Sequence, residues 1–245
     1  RMSYPSTLDS CGLRNWATRA VGELAHRREE INALNVFPVP DSDTGSNMAH
    51  TMEAAVAELD KGDDVADSLA RGAVRGARGN SGMVLSQVLR GVAESTVDSV
   101  IDGSVFARSL QQAVELVDLA IAEPVEGTVI TVLRAAAEAA DDSAARPGAT
   151  LHGIVSGAIS AARTALERTP SQLPALQEAG VVDAGGAGLV ILLESLLAEI
   201  EGSTGHAGLP APEEVTVLEV VFFYEGDIDA LQAAIAPMGD SLVIA

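Results

Sequence analysis

An all-α domain over residues 1–202, followed by the start of a small α/β domain, is the fold class that the sequence predicts, on three observations. Apolar residues return every three or four positions in eight separate stretches, the spacing of helices that bury one face. Aromatics make up only 3% of the 245 residues while apolar residues reach 47%. The core must therefore be assembled from Ala, Leu, Val and Ile, which suits closely packed helices better than a β-sandwich. Near residue 203 the composition shifts from this helical pattern to a Gly- and Pro-rich stretch and then to strand formers.

The first stretch places Leu13, Trp16, Ala17, Ala20, Val21, Leu24 and Ala25 on one helical face. Equivalent patterns cover residues 47–59, 64–77, 81–95, 103–122, 128–140, 150–167 and 187–201. Asp64 and Thr150 stand where N-caps belong. Pro38, Pro40, Gly62, Gly79, Pro124, Gly127, Pro147, Gly148 and Pro170 punctuate the joins, and short joins predict antiparallel neighbours. Residues 203–213 read as a linker. Residues 214–245 read as a truncated α/β fragment, with a strand over 215–223, a helix over 227–235 and a second strand candidate over 239–244. So small a unit cannot cover both faces of its sheet, so it is expected to belong to a larger domain or to be completed by a partner.

The formal charge of −20, with no basic run, excludes a nucleic-acid surface, which needs clustered Lys and Arg. An acidic chain that binds a phosphorylated ligand needs a metal to invert the local sign. Cys11 is the one cysteine, so no intrachain disulfide forms and a cytoplasmic protein is expected. Neither a signal peptide nor a transmembrane segment is read; the apolar run over 188–200 is short and carries Glu194 and Glu199. His26, His50, His152 and His206 show no metal-ligand spacing and read as peripheral.

The grouped aspartates lie in the loop Pro40-Asp41-Ser42-Asp43-Thr44-Gly45. Pro38 and Pro40 deny a helix there. Asp41 and Asp43 are two apart, so their carboxylates can converge on a hard cation such as Mg²⁺, which takes one or two carboxylates together with substrate phosphates. Thr44, Gly45, Ser46 and Asn47 then enter the next helix with hydroxyls, an amide and backbone N–H groups that suit phosphate oxygens. The competing reading is a solvated turn in which Asp43 or Ser46 caps that helix.

The longer stretch Ile31-Asn32-Ala33-Leu34-Asn35-Val36-Phe37-Pro38-Val39-Pro40-Asp41-Ser42-Asp43-Thr44-Gly45-Ser46-Asn47-Met48 resembles the nucleotide-binding domain shared by bacterial fatty acid kinases and the L subunit of dihydroxyacetone kinase. The resemblance continues at Gly76-Ala77-Arg78-Gly79-Asn80-Ser81-Gly82, at Glu126-Gly127-Thr128 and over residues 176–189. Asn-Val-Phe-Pro-Val-Pro before the aspartates is similar to the fatty acid kinase branch, and residues 214–245 resemble the start of that branch's middle domain.

The resemblance implies a barrel of eight antiparallel helices with ATP at one end and two Mg²⁺ ions bridging its phosphates. Asp41 and Asp43 match the central metal ligands. Asn35 takes the place of a third, upstream aspartate of the dihydroxyacetone kinase branch and is carried over as a metal ligand. Thr44, Gly45, Ser46, Asn47, Asn80, Ser81, Gly82, Gly127, Thr128, Asp183, Ala184 and Gly185 are carried over as nucleotide contacts. Asp183 reads equally as an acceptor for ribose or base and as a helix cap. Asn80, Ser81 and Gly82 have an ordinary N-cap as their alternative. Ser42 replaces a common glycine, which matters if that position needs positive φ; Ala187 stands where many relatives carry Gln. Arg78 and Arg168 are candidates for the γ-phosphate.

The activity implied is phosphorylation of a fatty acid, presented by a fatty-acid-binding carrier protein, to an acyl phosphate. The reading leaves room for a homodimer. Two other readings stand beside it: phosphorylation of dihydroxyacetone or a similar small ketone, and a non-catalytic helical docking module.

Overall fold

The computed structural model describes residues 3–59 and 64–202. The expected linker and α/β fragment lie outside these residues. Eight long helices and two short ones are present among the described residues: α1 (Ser10–His26), α2 (Arg28–Ala33), α3 (Thr44–Ala57), α4 (Val65–Gly76), α5 (Gly79–Ser95), α6 (Gly103–Ala120), α7 (Val129–Ala144), α8 (Leu151–Gln172), α9 (Pro174–Ala179) and α10 (Ala184–Glu201). Pairing of extended backbone among these residues is confined to the isolated bridges Leu8–Ile101 and Val97–Val100. No helix among the described residues is long and apolar enough to cross a membrane.

The eight periodic stretches each correspond to a long helix. Asp64 and Thr150 cap as expected: Asp64 Oδ1 accepts from the Asp67 N–H and Thr150 Oγ1 from the Gly153 N–H. One expectation is corrected, and two short helices join those expected. Pro170 does not end its helix; α8 runs through it to Gln172. The proline leaves the Leu166 carbonyl without its usual donor, and the Thr169 hydroxyl donates to that carbonyl at 2.7 Å. The short helices α2 and α9, six residues each, have too few turns to show a period, although Pro174 at the first turn of α9 and Gly180 in the left-handed region at its end are start and stop signals.

Consecutive long helices from α3 to α8 pack on one another, α10 packs on both α7 and α8, and α1 packs on α3, α4 and α10. Of the 18 residues of α10, 15 are buried, which makes it the central element rather than a surface helix. Its two midsection charges are answered across helix interfaces: Glu199 pairs with Arg19 of α1 at 3.1 Å, and the buried Glu194 accepts from Arg163 of α8. The one tryptophan, Trp16, donates its indole N–H to the Leu192 carbonyl at 3.0 Å, joining α1 to α10.

An alanine-rich core lets helix axes approach closely, and at some crossings only glycine fits. A Cβ on Gly91 of α5 would lie 2.5 Å from the Ser109 carbonyl oxygen and 2.8 Å from the Ala113 nitrogen of α6. Gly91→Ala gains helix propensity of about 1 kcal/mol, yet the clash is with backbone that cannot step aside. We expect a net destabilisation of roughly 1–2 kcal/mol, measured by urea denaturation; a more stable variant would show that α5 and α6 do not cross this closely.

Candidate functional site

Four helices begin at one cleft of about 410 Å³, within the roughly 300–1,000 Å³ of small-molecule sites. Thr44 and Asn47 reach it from α3, Gly79, Asn80 and Ser81 from α5, Thr128, Val129 and Ile130 from the start of α7, and Asp183 and Gly185 from the start of α10. Loop residues Asn35, Asp41 and Asp43 complete this side. Each helix N-terminus contributes N–H groups without intrahelical partners and the positive end of a dipole, so this end of the cleft favours an anion.

The loop that carries Asp41 and Asp43 is held from beneath by two asparagines. Asn35, 4% exposed, accepts on Oδ1 from the Asp43 N–H (3.0 Å), the Thr44 N–H (3.1 Å) and the Thr44 hydroxyl (2.8 Å), and donates from Nδ2 to the Val39 carbonyl (3.0 Å). Asn32 of α2 accepts from the Ser46 N–H and donates to the Ser46 hydroxyl, both at 3.1 Å. Asn35 and Asn32 therefore supply the capping of α3 that the turn reading gave to Asp43 or Ser46; Asp43 makes no side-chain cap bond. Neither Asp41 nor Asp43 has a side-chain hydrogen-bond or ion-pair partner among the described residues, and both face the cleft. The metal expectation for Asn35 meets a competing use, because its oxygen already serves three donors.

Among the described residues no three of His, Cys, Asp and Glu gather as a metal cage. A pair of carboxylates suits a cation that brings phosphate and water as its remaining ligands. Between the pair, Ser42 has φ +54°, so the position where the sequence departs from glycine does require the left-handed region.

At α5 the ordinary N-cap reading fails: the helix begins at Gly79, and the cap residue Arg78 makes no side-chain cap bond. Gly79 has φ +64°, and a Cβ there would stand 2.7 Å from Asn47 Nδ2. The positive φ favours glycine, and a larger residue would also push the Asn47 side chain aside. The side chains of Asn47, Asn80 and Ser81 have no hydrogen-bond partner among the described residues. Gly45, Ser46, Gly82, Gly127 and Ala184 fall outside the cleft wall. A Cβ on Gly45 would lie 2.4 Å from the Arg28 carbonyl and one on Gly82 2.5 Å from Thr51 Oγ1, so both serve helix approach. Gly127 (φ +83°) donates its N–H to Thr131 Oγ1 at 2.9 Å and shapes the turn before α7. Neither Arg78 nor Arg168 lines the cleft.

Of the two readings left open for Asp183, the structure shows the helix cap, and it also places the residue on the cleft wall. Asp183 caps α10 through the Gly186 N–H at 2.8 Å and accepts also from the Val129 N–H at the start of α7. Its own N–H donates to Thr169 Oγ1 at 3.0 Å. Burial pushes its carboxyl up to about 6 against the opposing pull of the two N–H donors.

Sequence reasoning missed the rest of the wall. Phe37, Val39, Val84, Ile121, Val125 and Ile130 make an apolar side suited to a planar or aliphatic group, and Glu123 adds a fourth carboxylate. The signal was present in Val39 and Val125, apolar residues beside prolines in loops, which are 57% and 38% exposed. No Lys, Arg or His lines the cleft among the described residues.

Two other cavities lack these features. One of about 40 Å³ in the apolar core, beside Trp16 and Leu192, has room for little more than a water. One of about 640 Å³ lies by Tyr4 and His152, where Asp102 and Thr150 cap α6 and α8, and His152 bonds Glu201 at 2.7 Å and stacks on Tyr4.

Two outcomes follow from the geometry. Ser42→Gly relieves a left-handed residue at a penalty of about 1–2 kcal/mol, offset by glycine's extra chain entropy of about 0.5–1 kcal/mol. A gain of roughly 0.5–1 kcal/mol in denaturant unfolding is expected, and a loss would contradict the loop conformation. Asp183 has its folded-state pKa above the unfolded value, so its contribution is full below about pH 4 and is lost as pH rises through about 6. The stability of the parent relative to Asp183→Asn should therefore fall by up to about 3 kcal/mol between pH 4 and 7. A difference that stays flat or rises over that window would refute the burial of this carboxylate.

Residues 38–198 match the family described as the DAK2 domain. The chain is 36% identical over 221 residues to Protein YloV of Bacillus subtilis, covering 87% of this chain and 40% of that protein. It is 35% identical over 212 residues to an uncharacterized protein of Staphylococcus saprophyticus, covering 84% of this chain and 38% of that protein. The chain thus spans well under half the length of these relatives. Among solved structures its fold is similar to dihydroxyacetone kinase from C. freundii in complex with AMP-PNP and Mg²⁺, with TM-score 0.55 and 20% identity over 80% of this chain and 35% of that one. The native form of the same enzyme gives 0.52 and 17% over 80% and 36%. With its helical fold and the match across most of the described residues, the chain belongs to the DAK2 domain family.

Proposed function

We propose that this chain is the Mg²⁺-ATP-binding part of a kinase that phosphorylates a fatty acid carboxylate, presented by a carrier protein, to an acyl phosphate. One observation carries the reading: among the described residues, four helix N-termini share a cleft with carboxylates that have no partner and with no cationic side chain. Bare triphosphate would be repelled by Asp41, Asp43, Glu123 and Asp183 together, whereas divalent cations on Asp41 and Asp43 reverse the sign where the phosphates lie. The solved C. freundii kinase with AMP-PNP and Mg²⁺ supports the same cofactors, and two ions at one end of an eight-helix barrel is the arrangement we adopt.

Phosphoryl transfer depends mainly on positioning and charge stabilisation. Asp41 and Asp43 hold the cations, which neutralise charge on the phosphates. The N–H groups at the start of α5, with Asn80 and Ser81, orient phosphate oxygens; Thr44 and Asn47 approach from α3. The apolar wall of Val84, Ile121, Val125 and Ile130 shelters the base, and Asp183, set at the starts of α7 and α10, accepts from ribose or base. No residue of the chain is assigned as general base, and the acceptor is supplied from outside. The fatty acid substrate rests on the Asn-Val-Phe-Pro-Val-Pro stretch and the strand formers after residue 213. Asn35 in place of an upstream aspartate separates the chain from the dihydroxyacetone branch.

Saturating Mg²⁺-ATP should raise the melting temperature, by about 2.7 kcal/mol of stabilisation at 100 times Kd. EDTA, Asp41→Ala and Asp43→Ala should each remove that gain while the helical circular dichroism stays. A parent protein with no shift would make the chain a docking module. Turnover by the full-length protein with a fatty-acid-loaded carrier but not with dihydroxyacetone is expected; the reverse preference would move it to the ketone kinases.

A further inference from the structure

We infer that Asn35 is a positioning residue of the nucleotide cleft: its side-chain amide clamps the loop that presents Asp41 and Asp43, and does not itself bind the cation. The inference rests on the nucleotide reading above and assigns Asn35 a different task from the metal ligation that the resemblance implies. An amide oxygen offers two lone pairs, and Asn35 Oδ1 already serves three donors, two of them backbone N–H groups at the entrance to α3. Those fixed donors also settle which end of the amide is oxygen. The other end donates to the Val39 carbonyl, so one side chain ties the loop both before and after the aspartate pair. It is 4% exposed, whereas Asp41 and Asp43 face the cleft without partners among the described residues.

The task explains the residue type. Two carboxylates two positions apart repel before a cation arrives, and only a loop fixed by other contacts keeps them aimed at one point. The clamp must accept on one side and donate on the other, which an amide does and a carboxylate does not. Aspartate here would set a negative oxygen against the Val39 carbonyl and loosen the loop, although it adds a charge that a cation would welcome.

Amide hydrogen exchange in the parent protein reads the clamp directly. The Asp43 and Thr44 amides should be protected without ligand and keep that protection when Mg²⁺ and AMP-PNP are added. Fast exchange in the ligand-free chain, or loss of protection on loading as Oδ1 leaves for the cation, overturns the assignment. Asn35→Asp reads the same point through affinity: in a variant with unchanged circular dichroism, Mn²⁺ with AMP-PNP should bind roughly tenfold more weakly or worse. Tighter or equal binding shows a metal ligand and overturns the clamp. If that variant does not fold, the exchange data on the parent decide alone. A parent protein that gives no thermal shift with Mg²⁺-AMP-PNP sinks the nucleotide reading instead, a result separable from amide protection in the ligand-free chain.

Discussion

An α-helix leaves its first N–H groups without internal partners and places there the positive end of its dipole. In this fold α3, α5, α7 and α10 all begin at the same depression. Four such ends together make a strong preference for negative charge, and the structure answers them in two ways. Where α7 and α10 start, Asp183 supplies the charge from within the protein and binds both helices through Val129 and Gly186. Where α3 starts, the neutral amides of Asn35 and Asn32 accept from the Thr44 and Ser46 N–H groups and add no charge, and where α5 starts, Arg78 makes no side-chain cap bond.

That division separates the structural half of the cleft from the half open to a ligand. Asp183 is buried, and its desolvation is felt as a raised pKa; it is retained because it knits two helix starts together. Asp41 and Asp43 perform no such service. A carboxylate that neither caps, pairs nor bonds leaves its lone pairs free for a cation. The net charge of the chain and the carboxylates of the cleft wall act in the same direction, each opposing the approach of a bare polyanion.

Much of this was legible in the chain. Periodicity located every long helix because each buries a face built from Ala, Leu, Val and Ile; that α10 is buried on nearly all sides emerged only from the structure. Asp64 and Thr150 could be placed as caps because a cap is a local event. What escaped has several causes. Pro170 sits inside α8 because Thr169 serves the carbonyl left without a donor, and α2 is too short for a period to show. The apolar side of the cleft is assembled from loops on either side of the domain, Val39 from one and Ile121 and Val125 from another, and no spacing rule links them. Asp183 could be read as a cap because that bond is local, whereas its place on the cleft wall depends on α7 and the loops around it.

The missed helix matters most to the site. Short as it is, α2 carries Asn32 into the first turn of α3 and delivers Asn35 beneath the loop, and both residues are neutral amides. A basic residue in the same place would hold the aspartates by pairing with them and so compete with the cation. An acidic one would add to their repulsion. Neutral amides, able to donate and accept at once, fix backbone geometry while leaving the charge of Asp41 and Asp43 unspent. The sequence displays the aspartates openly, but the loop that presents them is held by the uncharged residues six to eleven positions upstream, whose work becomes visible only when the loop is seen folded over them.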